Sequence, residues 1–453
     1  MTTQLTRRDF LRASVLSATA LVGGLGVPSF GAQASTKRWY KGNLHMHNQW
    51  SDGNVLPEVA VDWYKSHGYN FICPSDHNTF QSADLRFQSF GSHPKMTEEM
   101  TKEFEGETSL WKPISCDAVV NKLDRKFVVA AQEQFGKDAI AIREVGGLTF
   151  VRMKPFDELV EQFATGGSFL MIPGFEQTGS VVDGRAVHMN FIGVRQTFPY
   201  LKGIEEPVDA LRQTFAKGAQ VYEGQKYIFT ADHPMWRYYD YSPSALIENP
   251  QIGIVELINN GIFREYKQHP QGWKPEHFWD VVNAYRASHD QALIWTMGSD
   301  DRHDYDVPAK GWTMVRAEEL SQDAILDAIT RGDMYSSNGL DFEEIEFDGK
   351  TLNVKIDPHE DGPYRIDFIG TKKDYDPTCK LLNVEPEQGV SPKRVVETYS
   401  DQIGVVLETA EGLEASYTLK PDDLYVRAKI YKADADASKE WKVKPAAWTQ
   451  AYR

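Results

Sequence analysis

Short apolar runs alternate along most of the chain with stretches in which apolar residues recur at helical spacing. Residues 56–68 are of the helical kind, since Pro57 stands where a first turn accepts proline and Val59 and Trp63 lie one turn apart. The apolar runs predict buried strands at 69–74, 169–175, 189–194, 227–230, 253–258 and 292–297. Each run is followed by polar or charged residues, and this alternation predicts an α/β fold.

The pattern changes at two places, which predicts the domain organisation. Residues 80–165 form a long polar insertion with a predicted helix at 157–163, and we expect it to cover a site in a domain spanning 35–340. Beyond that domain, alternating short strands and turns predict a small antiparallel β-sandwich at 341–453.

The first residues are typical of an export signal. Arg7 and Arg8 stand in a run that looks like a twin-arginine motif, an apolar stretch follows, and Ala32 and Ala34 have the spacing of a cleavage site. We therefore expect residues 1–34 to be removed after passage through the twin-arginine export machinery, with a periplasmic or extracellular product. A stable membrane anchor is not expected, because a span needs about 20 continuous apolar residues.

Charge and cysteine content exclude several classes of function. The formal net charge of −16 repels nucleic acid and anionic membrane surfaces, so no nucleic-acid partner is expected. The three cysteines are too few and too widely spaced for a disulfide framework or a zinc finger.

Imidazole and carboxylate side chains recur at the ends of the predicted strands. His45 and His47 share one side of an extended segment, since alternate residues of a strand face the same way. Taken singly, each of the other positions has an ordinary structural explanation, but their regular recurrence at strand ends indicates a metal centre. The further candidates are Asp52, His77, Glu176, His188, His233, His303 and either Asp301 or Asp300.

In their order along residues 39–340, these motifs resemble the PHP family of metal-dependent phosphoesterases. The resemblance implies a distorted (β/α)7 barrel that holds two to three divalent ions of zinc, manganese or iron. It implies a first ion on His45, His47, Glu176 and Asp301, a second on Glu176, His188 and His233, and a third on Asp52, His77 and His303. The family's final motif favours Asp301, although Asp300 also fits, and Glu256 is implied near the ligands rather than among them.

The resemblance further implies hydrolysis of a small phosphomonoester or phosphodiester by hydroxide held on the metals. Arg185, Arg237 and Arg302 lie next to candidate ligands and are candidates for binding the phosphate group. Two alternatives stay open at this point. One is an amidohydrolase-like enzyme that cleaves an ester, lactone or amide, and the other is a non-catalytic binding protein on a degenerate barrel.

Overall fold

The computed structural model describes residues 37–82, 98–104, 107, 110–116, 123–182, 184–235, 241–259, 275–304, 311–359, 362–384, 394–433 and 444–453. The predicted export signal, Arg237 and part of the insertion at 80–165 lie outside these ranges. Among the described residues, helices of the length and hydropathy needed to cross a bilayer do not occur.

Helices flank the strands in most of the chain. The two helices predicted at 56–68 and 157–163 are confirmed to within two residues at each end. Local chemistry sets the ends of the last helix, because the Ser321 side chain accepts a hydrogen bond from the Ala324 N–H and Gly332 ends it with a φ of 77°. The described helices are α1 (Pro57–Ser66), α2 (Glu98–Glu103), α3 (Arg125–Phe135), α4 (Phe156–Phe163), α5 (Pro207–Val221), α6 (Pro243–Ile247), α7 (Pro275–Ser288) and α8 (Gln322–Arg331), with a short 3-10 helix at Lys137–Ala139.

Strands make up most of the remaining regular structure, and each predicted apolar run contains or overlaps one. They are β1 (Arg38–Asn43), β2 (Phe71–Ile72), β3 (Trp111–Pro113), β4 (Ile142–Val145), β5 (Leu148–Arg152), β6 (Leu170–Met171), β7 (Gly174–Ser180), β8 (Ala186–Ile192), β9 (Ile228–Ala231), β10 (Ile254–Ile258), β11 (Trp295–Gly298), β12 (Trp312–Ala317), β13 (Met334–Ser337), β14 (Asp341–Phe347), β15 (Thr351–Asp357), β16 (Tyr364–Lys372), β17 (Lys380–Val384), β18 (Arg394–Thr398), β19 (Val405–Glu411), β20 (Glu414–Thr418), β21 (Asp423–Lys432) and β22 (Ala446–Trp448).

Two sheets form the main part of the fold. One runs in the order β19-β16-β21-β22-β13-β12-β1-β2-β6, and the other in the order β11-β10-β9-β8-β7. Isolated parallel bridges join them on both sides, from His77 to Glu176 and from Met46 to Arg302. These bridges bring together the carboxyl ends of β1, β2 and β11 and the start of β7, which is where the candidate ligands stand.

Strand directions depart from those of a regular alternating barrel. The sets β1-β2-β6 and β9-β10-β11 are parallel, whereas β7 pairs with β8 and β8 with β9 in the antiparallel sense. The connection from β7 to β8 spans only residues 181–185. A link this short permits a hairpin and not a parallel crossover. The mixed α/β class is thus confirmed.

The predicted C-terminal sandwich is built on the main sheet. The sheet β14-β15-β20 encloses an apolar core with β16 and β21, and those two strands belong to the nine-stranded sheet that also contains β1 and β13. The join is secured by a buried ion pair in which Arg427 donates to both carboxylate oxygens of Asp280 on α7, at 2.7 and 2.9 Å. Hydrogen bonding therefore continues across the predicted boundary at residue 340.

Candidate metal centre

His45 and His47 extend the line of β1 into the space between the two sheets. The His47 N–H donates to the Arg302 carbonyl at 2.8 Å, and the Asp301 N–H donates to the His45 carbonyl at 3.0 Å, so the backbone after β1 is paired with the backbone after β11. Both imidazoles are fully buried, and their Nε2 atoms lie 3.1 Å apart. This is the geometry of a chelating pair whose two nitrogens face a common point.

Glu176 occupies the middle of the cluster and is fully buried. Its Oε1 lies 2.9 Å from His188 Nδ1, 3.3 Å from His233 Nε2 and 3.5 Å from His45 Nε2. Its Oε2 lies 2.7 Å from His77 Nδ1 and 3.3 Å from His47 Nε2. The two oxygens thus face different sets of imidazoles, as a carboxylate that bridges two ions must.

Asp301, and not Asp300, points into this cluster. Asp301 Oδ1 lies 3.1 Å from His47 Nε2 and 3.4 Å from His45 Nε2, in a backbone with φ of 44°. Asp300 faces another way, since its Oδ2 accepts a hydrogen bond of 2.9 Å from the Tyr64 hydroxyl. Adjacent carboxylates therefore have separate roles, and the structure favours Asp301 as the candidate ligand.

Asp52, His77 and His303 form a more open group at the edge of the cluster. Asp52 Oδ1 lies 3.3 Å from His303 Nε2 and 3.8 Å from His77 Nε2. The His47 ring is stacked against each of the other two imidazoles, with ring centres 4.1 Å from His303 and 4.4 Å from His77. Side chains of Asp52 and His303 are 26% and 28% exposed, so this edge faces solvent.

The remaining candidates, His188 and His233, meet on the opposite side of Glu176. His188 lies in β8 and His233 follows β9, and the His188 Nδ1 and His233 Nε2 atoms are 3.2 Å apart. His233 has a φ of 23°, which residues with a Cβ rarely adopt. All nine residues that the sequence predicted as ligands are thus brought together.

Opposite charges shift the protonation of this cluster strongly. Burial by itself disfavours the charged imidazoles, but Asp301 and Glu176 outweigh it and raise the pKa of His47 to about 10. At His45 the charge of Glu256, followed by those of Asp301 and Glu176, raises the pKa well above its usual value. Burial likewise opposes ionisation of Glu176, yet the surrounding imidazoles hold its pKa well below the usual range.

His233 and His188 are shifted in opposite directions. Hydrogen bonding and charge from Glu176 overcome burial and raise the pKa of His233 to about 9. Burial dominates at His188 and lowers its pKa to about 4, with positive charge on His77 and His233 adding to the effect. Such divergence within a few ångströms is a mark of functional sites.

Several features fit divalent metal ions. Glu176 Oε2 and Asp301 Oδ1 are buried without a hydrogen-bond partner among the described residues, although imidazole nitrogens lie 2.7 to 3.4 Å away. Lone pairs that approach one another in this way are stabilised when a cation lies between them. The donor atoms fall into groups whose members lie within 4.8 Å of one another: His47, Asp52, His77 and His303; His45, His47 and Asp301; His45, Glu176 and His233; and His77, Glu176 and His188.

Two further buried carboxylates, Asp76 and Glu256, contact the candidate ligands or the segment that carries them, and Glu256 also forms a group with His45 and Asp232. Asp76 accepts hydrogen bonds from the backbone N–H groups of Asn48 and Ser51, which fixes the turn between His47 and Asp52. Glu256 lies 2.8 Å from His45 Nδ1. The sequence offered only weak signals for them, a carboxylate beside a candidate histidine and a carboxylate within an apolar strand.

The predicted phosphate-binding arginines are less well placed. The Arg302 guanidinium lies 5.1 Å from the centre of the Trp63 ring, and its Nε donates to the Asp304 carbonyl at 3.1 Å. Arg185 pairs with Glu206 at 3.3 Å. Residues next to a ligand on an extended segment face away from it, and Arg302 points toward Trp63.

Comparison with known proteins gives similar structures at low identity. No family model and no curated protein sequence matches the chain. A two-domain protein from Bacteroides vulgatus, described as containing a predicted PHP-like metal-dependent phosphoesterase, matches with a TM-score of 0.37 and 14% identity, covering 94% of this chain and 98% of the other.

Two further solved structures that are similar to this chain are those of an amidohydrolase and a phosphatase. An amidohydrolase from Chromobacterium violaceum with bound sulfate matches with a TM-score of 0.25 and 10% identity over 58% of this chain and 87% of the other. A histidinol phosphate phosphatase from Lactococcus lactis in complex with zinc, L-histidinol and phosphate matches with a TM-score of 0.23 and 15% identity over 59% and 88%. The similar structures thus include PHP-like metal-dependent phosphoesterases, and at these TM-scores the side chains of the centre remain the basis for inferring a function.

Proposed function

We propose that this protein is a metal-dependent hydrolase that cleaves phosphoesters with two or three divalent transition-metal ions, of zinc, manganese or iron. The observation that carries the proposal is the convergence of six imidazoles with the carboxylates of Asp52, Asp301 and buried Glu176. Nitrogen and oxygen donors of this kind suit those metals. When bound, the ions supply a Lewis acid and lower the pKa of water.

Different groups of the described residues would bind the different ions. Glu176, which faces imidazoles with both oxygens, would contribute to more than one ion, and Asp301 would hold an ion together with His45 and His47. Asp52, with His77 and His303, would hold a third ion at the exposed edge. Substrate must approach from that edge, because His45, His47 and Glu176 are fully buried.

The balance of charge favours an anionic substrate. The candidate ligands Glu176, Asp301 and Asp52 contribute three negative charges and the adjacent Glu256 a fourth, whereas three divalent ions would contribute six positive charges. A centre with net positive charge attracts a phosphate group more strongly than a neutral ester or amide. This is the reason to prefer a phosphoester over the carbonyl substrates of an amidohydrolase-like enzyme.

The remaining parts of the proposal concern architecture and location. We propose that the two sheets and their bridges are a distorted (β/α)7 barrel, with the insertion at 80–165 above the centre and residues 341–453 as an added sandwich. We also propose that residues 1–34 direct export and that the mature protein acts on a small phosphoester outside the cytoplasm.

Metal analysis by plasma mass spectrometry, with rate assays on p-nitrophenyl phosphate, bis-p-nitrophenyl phosphate, an ester and an amide, tests the proposal. We expect two to three equivalents of metal and chelator-sensitive cleavage of a phosphoester. Glu176→Gln should lose both, whereas Glu411→Gln, a matched change on exposed β19, should lose neither. Metal with cleavage of only the ester or amide would support the amidohydrolase-like alternative, and absence of both metal and turnover would indicate a binding protein.

A further inference from the structure

Glu256 in β10 contacts two candidate ligands that come from distant parts of the chain. Its Oε1 lies 2.8 Å from His45 Nδ1, and its Oε2 accepts a hydrogen bond of 3.0 Å from the His233 backbone N–H. His45 follows β1 and His233 follows β9. The buried carboxylate of Glu256 therefore contacts candidate ligands from two different strand ends.

The contacts of Glu256 require a carboxylate rather than an amide. Ser299 Oγ donates to Oε1 at 2.5 Å, and Asn259 Nδ2 donates to Oε2 at 2.9 Å. With the His45 ring and the His233 N–H, four groups point at the two oxygens. An ionised carboxylate has about four acceptor positions and no donor, so it can satisfy all of them.

This arrangement fixes which nitrogen of His45 is free to bind a cation. If Nδ1 carries the proton that is donated to Glu256, the lone pair is on Nε2, the atom 3.1 Å from His47 Nε2. The opposite tautomer would point a proton into the cluster. Carboxylates beside metal-binding histidines commonly select the tautomer in this way.

The second contact acts on the backbone. His233 adopts a φ of 23°, and this conformation aims its Nε2 at Glu176 Oε1, 3.3 Å away. A residue with a Cβ holds such a φ only when its surroundings enforce it. The hydrogen bond from the His233 N–H to Glu256 is one such constraint.

From these contacts we propose that Glu256 is a positioning residue that sets the His45 tautomer and the His233 backbone, so that both imidazoles are prepared for metal. The inference rests on the proposed function, since it assumes that the cluster binds ions. Asp232 also lies near His45 and Glu256, but the four hydrogen bonds of Glu256 make that group a positioning network rather than another ion site.

Glu256→Gln is the test, because its amide has one acceptor oxygen and one NH2 group. In either orientation the NH2 faces two of the four donors. We expect zinc affinity, measured by competition with a chromophoric chelator, to fall about 10- to 100-fold. In zinc-loaded protein with ¹⁵N-labelled histidine, the downfield proton signal of His45 Nδ1 should shift upfield or disappear.

Glu411→Gln is the matched control, since it makes the same chemical change on exposed β19, away from the centre. It should retain the His45 Nδ1 proton signal and bind zinc within a few-fold of the wild type. Equal zinc affinity and an unchanged Nδ1 signal in Glu256→Gln would overturn the proposal.

The wild-type protein gives a measurement that does not depend on the folding of a variant. Zinc-loaded wild type should show a protonated Nδ1 and a zinc-bound Nε2 at His45, and the reverse assignment would overturn the role of Glu256. Wild-type protein that binds no zinc, manganese or iron would instead overturn the proposed function, so the two failures are distinguishable.

Discussion

Asp300 and Asp301 offer a matched pair of substitutions at adjacent positions. Asp301→Asn removes the charge of an oxygen that lies 3.1 Å from His47 Nε2 and 3.4 Å from both His45 Nε2 and His303 Nδ1. Asp300→Asn makes the same chemical change where the oxygen accepts a hydrogen bond from Tyr64. The two variants therefore separate loss of a ligand from loss of a buried carboxylate.

The expected losses of free energy differ between the two variants, because each removes a different kind of interaction. Removal of one member of a buried charge pair costs about 3 to 5 kcal/mol. Applied to the metal that Asp301 would face, this corresponds to a loss of affinity of roughly 100- to 3,000-fold. For Asp300→Asn the weakened contact is a hydrogen bond to a charged group, worth about 1.5 to 3 kcal/mol of folding stability.

Two measurements on the purified variants test these values. Chelator competition gives metal affinity and stoichiometry, and denaturant unfolding of the metal-free proteins gives stability. We expect Asp301→Asn to lose at least one equivalent of metal and the phosphoesterase activity. Asp300→Asn should keep its metal content and unfold at lower denaturant concentration.

The reverse result would refute this assignment. If Asp300→Asn lost metal while Asp301→Asn kept it, the side-chain directions found here would be wrong and Asp300 would be the ligand. Equal metal binding in both variants would remove either carboxylate from the ligand set.

Further predictions concern protonation and the C-terminal strands. Burial of Glu58 raises its pKa from 4.5 to about 7, so the folded protein loses stability as pH rises from 4.5 to 7. Glu58→Gln should remove that loss and make the protein more stable than the wild type by about 3 kcal/mol at pH 8, measured by denaturant unfolding. Equal stability of the two proteins at pH 8 would contradict this prediction. The pKa values of His47 and His233 are raised to about 10 and about 9, so protons compete with metal at pH 8. Calorimetry in buffers of different ionisation heat should show that zinc binding releases protons and that this release declines above pH 10. Proton release that stays constant with pH would count against this prediction. Truncation after Leu340 would leave Asp280 without Arg427 and β13 without β22, so we expect insoluble protein; a soluble, metal-loaded truncation would show that the C-terminal strands are dispensable.

The candidate ligands could be predicted because their signal is local. His45 and His47 share a face of one extended segment, Asp52 follows in a turn, and the other candidates stand at the start or end of apolar runs. Strand ends of an α/β fold converge on one edge, so nine residues scattered between 45 and 303 were predicted to meet. The structure brings all nine together.

Other features depend on contacts that are distant in sequence. The direction of Asp301 follows from its positive φ and from the bridge that pairs Met46 with Arg302, and neither is encoded by the residues next to it. The same pairing turns Arg302 toward Trp63. A sequence motif can therefore name the pair Asp300 and Asp301 and favour Asp301, but the direction of each side chain is fixed by the fold.

The predicted boundary at residue 340 shows the same limit. The change of sequence pattern beyond residue 340 correctly predicted antiparallel strands, because turn residues and the alternation of apolar and polar residues are local properties. Pairing partners are not local, and β22 lies between β13 and β21 in one sheet. The sequence by itself determined the elements and the chemical types of the site. Tertiary structure decided side-chain direction, the contacts of Glu256 and the continuity of the sheet, because these depend on long-range pairing.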